Sequence, residues 1–194
     1  MTRFKIIPAL LAGILVLVGC STSSEVPGAG EDSQLAEFLT ANNLEEKSAA
    51  EIVDHLDRLG GDARPTTYMA SVRANEILFL TEDEELELAL PDDQFYISIA
   101  PFRENTHPCT FHSLTTCQGE LTGEEFQVEV VDDVGAVVLS ENRTSFENGF
   151  IGLWLPRDIS GTITITDAHG TSGQVPFTTD ESGATCITDL QLAA

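Results

Sequence analysis

The chain has 194 residues, with 9 basic and 32 acidic side chains and a formal net charge of −23. So acidic a surface repels nucleic acid and anionic membrane, and we therefore expect no nucleic-acid partner. The charge alone is typical of a solvated acidic surface and does not indicate a metal site. The length is enough for one domain, or for one domain with a small companion.

The first 19 residues are predicted to be a signal peptide. Arg3 and Lys5 precede an apolar run from Ile6 to Val18, which is shorter than the roughly 20 apolar residues that a membrane-spanning helix needs. The run ends at Leu17-Val18-Gly19-Cys20, which resembles the lipobox of bacterial lipoproteins. In that class of protein the cysteine is acylated and becomes the first residue of the mature chain. We therefore expect Cys20 to anchor an exported protein to the extracytoplasmic face of a membrane.

Residues 20–31 are predicted to be the lipidated tether between the anchor and the folded part. They are small and polar and include Pro27 and two glycines, a composition typical of flexible linkers. The alternative is an ordinary signal peptide that is cleaved nearby, in which case Cys20 is incidental.

Residues 32–60 are predicted to form a short helical hairpin. Asp32 or Ser33 is placed to cap the first helix, and Ser48-Ala-Ala-Glu51 has the pattern of a capping box before the second. Gly60-Gly61 is expected to end the second helix. Neither helix is long enough to be stable alone, so both must pack on another part of the protein.

From Thr66 onward the apolar period changes to two, in many short segments about ten residues apart. The turn Asp167-Ala-His-Gly170 is typical of a hairpin. The fold class is therefore predicted to be α+β: a short N-terminal helical hairpin packed on a β-rich, mainly antiparallel sandwich- or barrel-like domain. We place a small helical and β-hairpin domain at residues 32–91 and a β-rich domain at residues 92–194.

Three of the four cysteines remain once Cys20 is assigned to lipid: Cys109, Cys117 and Cys186. In an oxidising compartment an odd count indicates a free thiol, an intermolecular disulfide or a metal site. One alternative is a structural, β-rich lipoprotein in which a Cys109–Cys117 disulfide staples a loop and Cys186 is free or buried.

Residues 101–120 lose periodicity and contain His107 and His112 beside Cys109 and Cys117. Thiolates select Cu(I), Zn(II) or iron–sulfur clusters, and imidazole suits copper and zinc. Three sulfurs with a nearby imidazole can therefore hold Cu(I), with Zn(II) as a substitute. The pattern contains no Cys-x-x-Cys and no later Met, so it matches neither a zinc finger nor a blue-copper site.

Four short sequence motifs occur in a characteristic order along the chain, and Cys186 follows them near its end. Together they resemble the CueP family of exported bacterial copper-binding proteins. The resemblance implies copper binding outside the cytoplasm and a contribution to copper resistance, with the family's three functional cysteines at Cys109, Cys117 and Cys186. The segments are Tyr68-Met-Ala-Ser-Val-Arg73, Phe95-Tyr-x-Ser-x-Ala-Pro101, Thr106-His-Pro-Cys-x-x-His112 and Cys117-x-Gly-Glu-Leu121.

The same resemblance implies candidate partners and an alternative activity. Some family members are proposed to supply copper to an exported superoxide dismutase, and others to reduce Cu(II) with their thiols. We expect a metal-binding protein that sequesters or delivers Cu(I), with a thiol-based Cu(II) reductase or disulfide-exchange protein as the alternative. His107 or His112 would lower a thiol pKa when protonated, or act as a ligand when neutral. The lipobox departs from the soluble members and leaves the delivery partner open.

Overall fold

The computed structural model describes residues 29–193, with side chains from residue 32 onward. The predicted signal peptide, Cys20 and most of the predicted tether lie outside the described residues. Within the part that is described, no helix is both long enough and apolar enough to cross a membrane.

Two helices begin the described part: α1 (Ala29–Ala41) and α2 (Ala49–Asp57). The predicted capping box is confirmed, because the Ser48 side chain accepts from the backbone N–H of Glu51 while the Glu51 carboxylate accepts from the N–H of Ser48. The prediction that Asp32 or Ser33 caps α1 is wrong, since the helix already starts at Ala29. The helix dipole favours an acidic residue in the first turn as well as at the N-cap, so Asp32 is compatible with both positions.

The second helix ends earlier than the glycines suggested. It stops at Asp57, and the backbone N–H of its C-cap residue Arg58 bonds to the carbonyl of Leu56. Gly61 then adopts a positive φ of 50° and starts a short 3-10 turn. The glycines thus redirect the chain after the helix rather than terminate it.

Ten strands in residues 29–193 form three sheets, with strand orders β1-β2-β3, β10-β4-β7 and β6-β5-β8-β9. In this part of the chain each pair is antiparallel except β10 with β4, which is parallel. The predicted α+β class, with a mainly antiparallel, sandwich-like β-rich part, is confirmed. The strands are β1 (Met69–Val72), β2 (Glu76–Leu80), β3 (Glu85–Ala89), β4 (Gln94–Ile99), β5 (Glu125–Asp132), β6 (Val137–Thr144), β7 (Ile151–Pro156), β8 (Ser160–Asp167), β9 (Ser172–Thr178) and β10 (Cys186–Ile187).

Strand β4 is buried on both faces, and this places it at the centre of the molecule. Phe95, Ile97 and Ile99 belong to the larger core, which β5, β8 and β9 also line. Tyr96 belongs to a second core, formed with both helices and the β1–β3 sheet. The division between residues 91 and 92 stays a prediction, and Tyr96 packs across that point of the chain.

Candidate metal centre

The three candidate cysteines come from two distant segments that β4 brings together. Cys109 and Cys117 lie in the irregular loop of residues 101–120, whereas Cys186 begins β10. In the parallel β10–β4 pair, Cys186 lies opposite Ser98. The backbone N–H of Cys186 also donates to the carbonyl of Thr110, at 3.1 Å, and so ties the loop to the strand.

Backbone hydrogen bonds fix His112 in the same loop. The N–H of Val72 donates to the carbonyl of His112 at 2.8 Å, and the N–H of Leu114 donates to the carbonyl of Ala70 at 2.8 Å. The Thr185 hydroxyl accepts from the N–H of His112 at 3.0 Å and donates to the carbonyl of Val72 at 2.7 Å. The loop is therefore an added edge of the β1 sheet at this point.

The five predicted site residues form two clusters that share one sulfur. Donor atoms of His107, Cys109 and Cys117 all lie within 4.8 Å of one another, and so do those of His112, Cys117 and Cys186. We call these the outer and the inner cluster, because His107 and Cys109 are partly exposed while all three inner residues are buried. The structure thus brings every predicted ligand to one place, with Cys117 between the two sets.

The three cysteines of the described chain are free thiols. The Sγ atoms of Cys109 and Cys117 are 3.6 Å apart. The backbone N–H of Ser113 donates to the sulfur of Cys117 at 3.3 Å, and the Cys109 thiol donates to the carbonyl of Phe111 at 3.4 Å. Cys117 is thus the acceptor sulfur of the loop, and Cys109 is a donor.

A buried carboxylate, Asp57 at the end of α2, supports the inner cluster. One of its oxygens accepts from the Tyr96 hydroxyl at 2.6 Å and from the Ser98 hydroxyl at 2.8 Å. The other accepts from Nε2 of His112 at 2.5 Å and from the side-chain amide of Asn148 at 2.7 Å. An unpaired buried charge would be strongly destabilising, and these four donors satisfy it.

The bond to Asp57 decides which nitrogen of His112 faces the cysteines. A carboxylate only accepts, so Nε2 carries the hydrogen of that bond. Nδ1 is buried and has no hydrogen-bond partner among the described residues. The ring also packs on Phe150, with centroids 4.5 Å apart. The second nitrogen of His112 is therefore the one left for a metal, an arrangement found where a carboxylate orients a histidine ligand.

The electrostatics make Cys117 the thiolate of the group. Burial alone lowers the pKa of His112, but the charge and the hydrogen bond of Asp57, together with Cys117, more than offset it and raise the pKa to about 9. The pKa of Cys117 lies well below its usual range, first because the Cys186 thiol donates to it and then because of His112. The hydrogen bond to Cys117 raises the pKa of Cys186, and burial raises that of Cys109. At neutral pH the metal-free site therefore pairs one imidazolium with one thiolate.

An open groove with a volume of about 620 Å³ gives access to the cluster. Cys109 lines it beside Pro108, and the buried Cys186 lies at its floor. The other two histidines lie apart from both clusters. His55 is exposed on α2, and His169 is exposed in the β8–β9 turn.

Sequence reasoning missed the supporting residues. Tyr96 and Ser98 occur in a segment that carried the family resemblance, but no role was assigned to them. Asp57 had a signal: it falls four residues after Val53 on the buried stripe of α2, where an apolar residue is expected. Nothing in the local sequence marks Asn148, which lies 91 positions from Asp57 in the chain and donates to it in the folded protein.

Fold and site together define a β-rich protein built around a buried cysteine–histidine cluster that suits a soft metal ion. The chain belongs to the CueP family, whose model, described as "Periplasmic copper-binding protein CueP", matches residues 51–191. The crystal structure of S.CueP is similar, with a TM-score of 0.78 and 37% sequence identity over 82% of this chain and 97% of that chain. No curated protein matches the chain. The resemblance inferred from the sequence is confirmed, and the match includes Asp57 and all five candidate ligands.

Proposed function

We propose that the protein binds Cu(I) outside the cytoplasm through the thiolates of Cys109, Cys117 and Cys186 with a nearby histidine. The convergence of three free thiols from two distant segments on one point is the observation that supports this most strongly. Thiolates select Cu(I), and the burial of Cys117 and Cys186 limits competition from water. Binding in this way sequesters the ion or holds it for delivery, and so contributes to copper resistance.

The same donors accept Zn(II) as a substitute, since both thiolate and imidazole bind zinc. Thiols must lose their protons to bind either metal, and His112 must free Nδ1. Copper uptake therefore displaces protons from the cluster, while the Nε2 hydrogen stays on the bond to Asp57.

Competition for Cu(I) against a chromophoric chelator tests the proposal. Reduced protein is expected to take up about one Cu(I), and replacing the shared Cys117 with Ser is expected to lower the affinity by more than about 100-fold. Cys186→Ser should lower it as well, and Cys109→Ser should lower it least. Met69→Leu is the matched control, because Met69 is an exposed soft sulfur outside both clusters. Unchanged affinity in all three cysteine variants would exclude the proposed site.

The anchor at Cys20 is a further part of the proposal. Lipid on this residue would hold the copper site at the extracytoplasmic membrane face, within reach of a membrane-proximal acceptor such as an exported superoxide dismutase or a thiol–disulfide exchange protein. A mature protein that starts at an acylated Cys20 should partition with membranes, and Cys20→Ala should release it. Mass spectrometry of the N-terminal peptide decides between this anchor and an ordinary cleavage site.

Thiol-based reduction of Cu(II) is the second candidate, favoured by the 3.6 Å separation of the Cys109 and Cys117 sulfurs. Joining the Cys109 thiol to the Cys117 thiolate in a disulfide releases one proton and two electrons, and the electrons reduce two Cu(II) to two Cu(I). Reduced protein mixed with Cu(II) should then yield two Cu(I) per disulfide formed, measured with a Cu(I)-specific chelator and by intact mass. If no Cu(I) appears, the reductase activity is excluded and the binding role is unaffected.

A further inference from the structure

The outer and inner clusters differ in exposure while sharing the sulfur of Cys117. His112 and Cys186 are 0% and 1% exposed, and Cys117 is 9% exposed. We infer that copper occupies two positions in turn: an entry position held by His107, Cys109 and Cys117, and a holding position held by His112, Cys117 and Cys186. This inference rests on the proposed function and assigns separate roles to the two histidines.

The outer cluster has the properties of an entry position. Its two partly exposed donors, His107 and Cys109, are the ones that an ion arriving from solvent or from a partner can meet first. Cys109 also lines the open groove beside the cluster. Pro108 separates these two donors and fixes the backbone between them.

The inner cluster has the properties of a holding position. Its ligands are buried, His112 and Cys186 almost completely, so a competing ligand meets the partly exposed outer donors first. Nδ1 of His112 is buried and makes no regular hydrogen bond in the described structure, so it can bind a metal once it has lost its proton. Asp57 holds the ring by its other nitrogen, so the donor is already in place before the ion arrives.

Transfer between the positions is a ligand exchange in which the bond from copper to Cys117 is kept throughout. The bonds to His107 and to the Cys109 sulfur break, while bonds to the Cys186 sulfur and to Nδ1 of His112 form. Cys186 gives up its thiol proton and Cys109 regains one, and the Nδ1 proton leaves to water. The ion stays Cu(I), and release to an acceptor is the same path in reverse.

Substituting the two histidines should therefore have different effects: one changes the rates of copper exchange, and the other changes the affinity. Weakening the entry position destabilises an intermediate on the path, which slows loading and release alike and leaves the affinity unchanged. Weakening the holding position destabilises the final state, which lowers the affinity. A single undivided site would make both substitutions lower the affinity together.

Stopped-flow exchange of Cu(I) with a chelator, combined with equilibrium competition, tests this on full-length protein. His107→Gln is expected to slow loading and release roughly tenfold while the affinity stays within about threefold, and His112→Gln to lower the affinity more than tenfold. His169→Gln, in the exposed β8–β9 turn, is the matched control and should change neither. Circular dichroism verifies that each variant is folded.

If His112→Gln fails to fold, Cys109→Ser and Cys186→Ser give the same comparison, with the larger loss of affinity expected for Cys186. Equal losses of affinity in the entry and holding variants would overturn the two-position inference. In that outcome the wild type still binds Cu(I), so the proposed function stands. If the wild type itself does not bind Cu(I), the proposed function fails, and the inference fails with it.

Discussion

Nε2 of His112 lies 2.5 Å from a carboxylate oxygen of Asp57, and neither side chain is exposed to solvent. This bond links the end of α2 to the irregular loop that carries two of the cysteines. It fixes the ring so that the remaining nitrogen faces Cys117 and Cys186. The helical part of the protein, which supplies none of the candidate ligands, thereby controls the geometry of the site.

Replacing Asp57 with Asn should therefore affect both stability and copper binding. The change removes the charge opposite His112 and disturbs four hydrogen bonds, and breaking a buried pair costs about 3 to 5 kcal/mol. Loss of the oriented imidazole should also lower Cu(I) affinity by roughly 10- to 100-fold. Urea unfolding and chelator competition measure the two effects.

Asp54→Asn is the matched control for that prediction. Asp54 lies one turn earlier on α2 and accepts from the indole N–H of Trp154 at 3.2 Å, outside the metal cluster. It should leave the copper affinity unchanged. An Asp57→Asn protein with wild-type affinity would show that His112 does not need this partner.

The raised pKa of His112 predicts a specific dependence of stability on pH in Cys117→Ser. Burial lowers the pKa of His112, while the charge and the hydrogen bond of Asp57, which both remain in this variant, raise it. The stabilisation from the charged His112 is then fully present below about pH 6.5 and is lost as the pH rises through the folded-state pKa. Cys117 is removed because its lowered pKa acts in the opposite direction over the same range.

Urea unfolding of Cys117→Ser between pH 6 and 9 measures this loss. The double variant Cys117→Ser/His112→Gln should show a flatter profile over the same range. Parallel profiles for the two proteins would mean that His112 is neutral in the folded protein.

Gly152 leaves room for the Tyr96 hydroxyl that binds Asp57. A Cβ at this position would lie 2.1 Å from the Tyr96 hydroxyl oxygen. Gly152→Ala should therefore displace the tyrosine and destabilise the protein by about 2 kcal/mol. In a Tyr96→Phe background the same substitution should cost less, because the atom in closest contact is gone. Equal losses in both backgrounds would place the strain elsewhere.

The exposure of the cysteines and the separation of two of their sulfurs predict the order of oxidation. Mild oxidant should first join the partly exposed Cys109 to Cys117, whose sulfurs are 3.6 Å apart, and leave the buried Cys186 reduced. Peptide mapping by mass spectrometry identifies the pair. Cys186→Ser should still form this disulfide, and bound Cu(I) should prevent it. A first disulfide that includes Cys186 would contradict the arrangement of thiols described above.

The sequence predicted the elements with strong local signals. The capping box at Ser48 and Glu51, the alternating strands and the cysteine–histidine loop are all present, because each depends on residues close together in the chain. The start of α1 and the end of α2 were misplaced, since helix ends depend on dipole and backbone effects that the apolar pattern does not record.

The sequence predicted the candidate ligands, but it did not predict the residues that hold them in position. Residue types and a family resemblance identified the histidines and cysteines, yet the sequence could not show that they divide into two clusters sharing Cys117. That division depends on the parallel pairing of β10 with β4, which joins residues 88 positions apart, Ser98 and Cys186. Asp57 and Asn148 meet only in the folded protein, and no local pattern relates them.

X-ray absorption spectroscopy of the Cu(I)-loaded protein tests the central claim most directly. The account predicts copper bound by cysteine sulfur together with one imidazole nitrogen, and loss of the nitrogen signal in His112→Gln but not in His169→Gln. A copper ion coordinated by nitrogen and oxygen alone, or a spectrum that Cys117→Ser leaves unchanged, would contradict it.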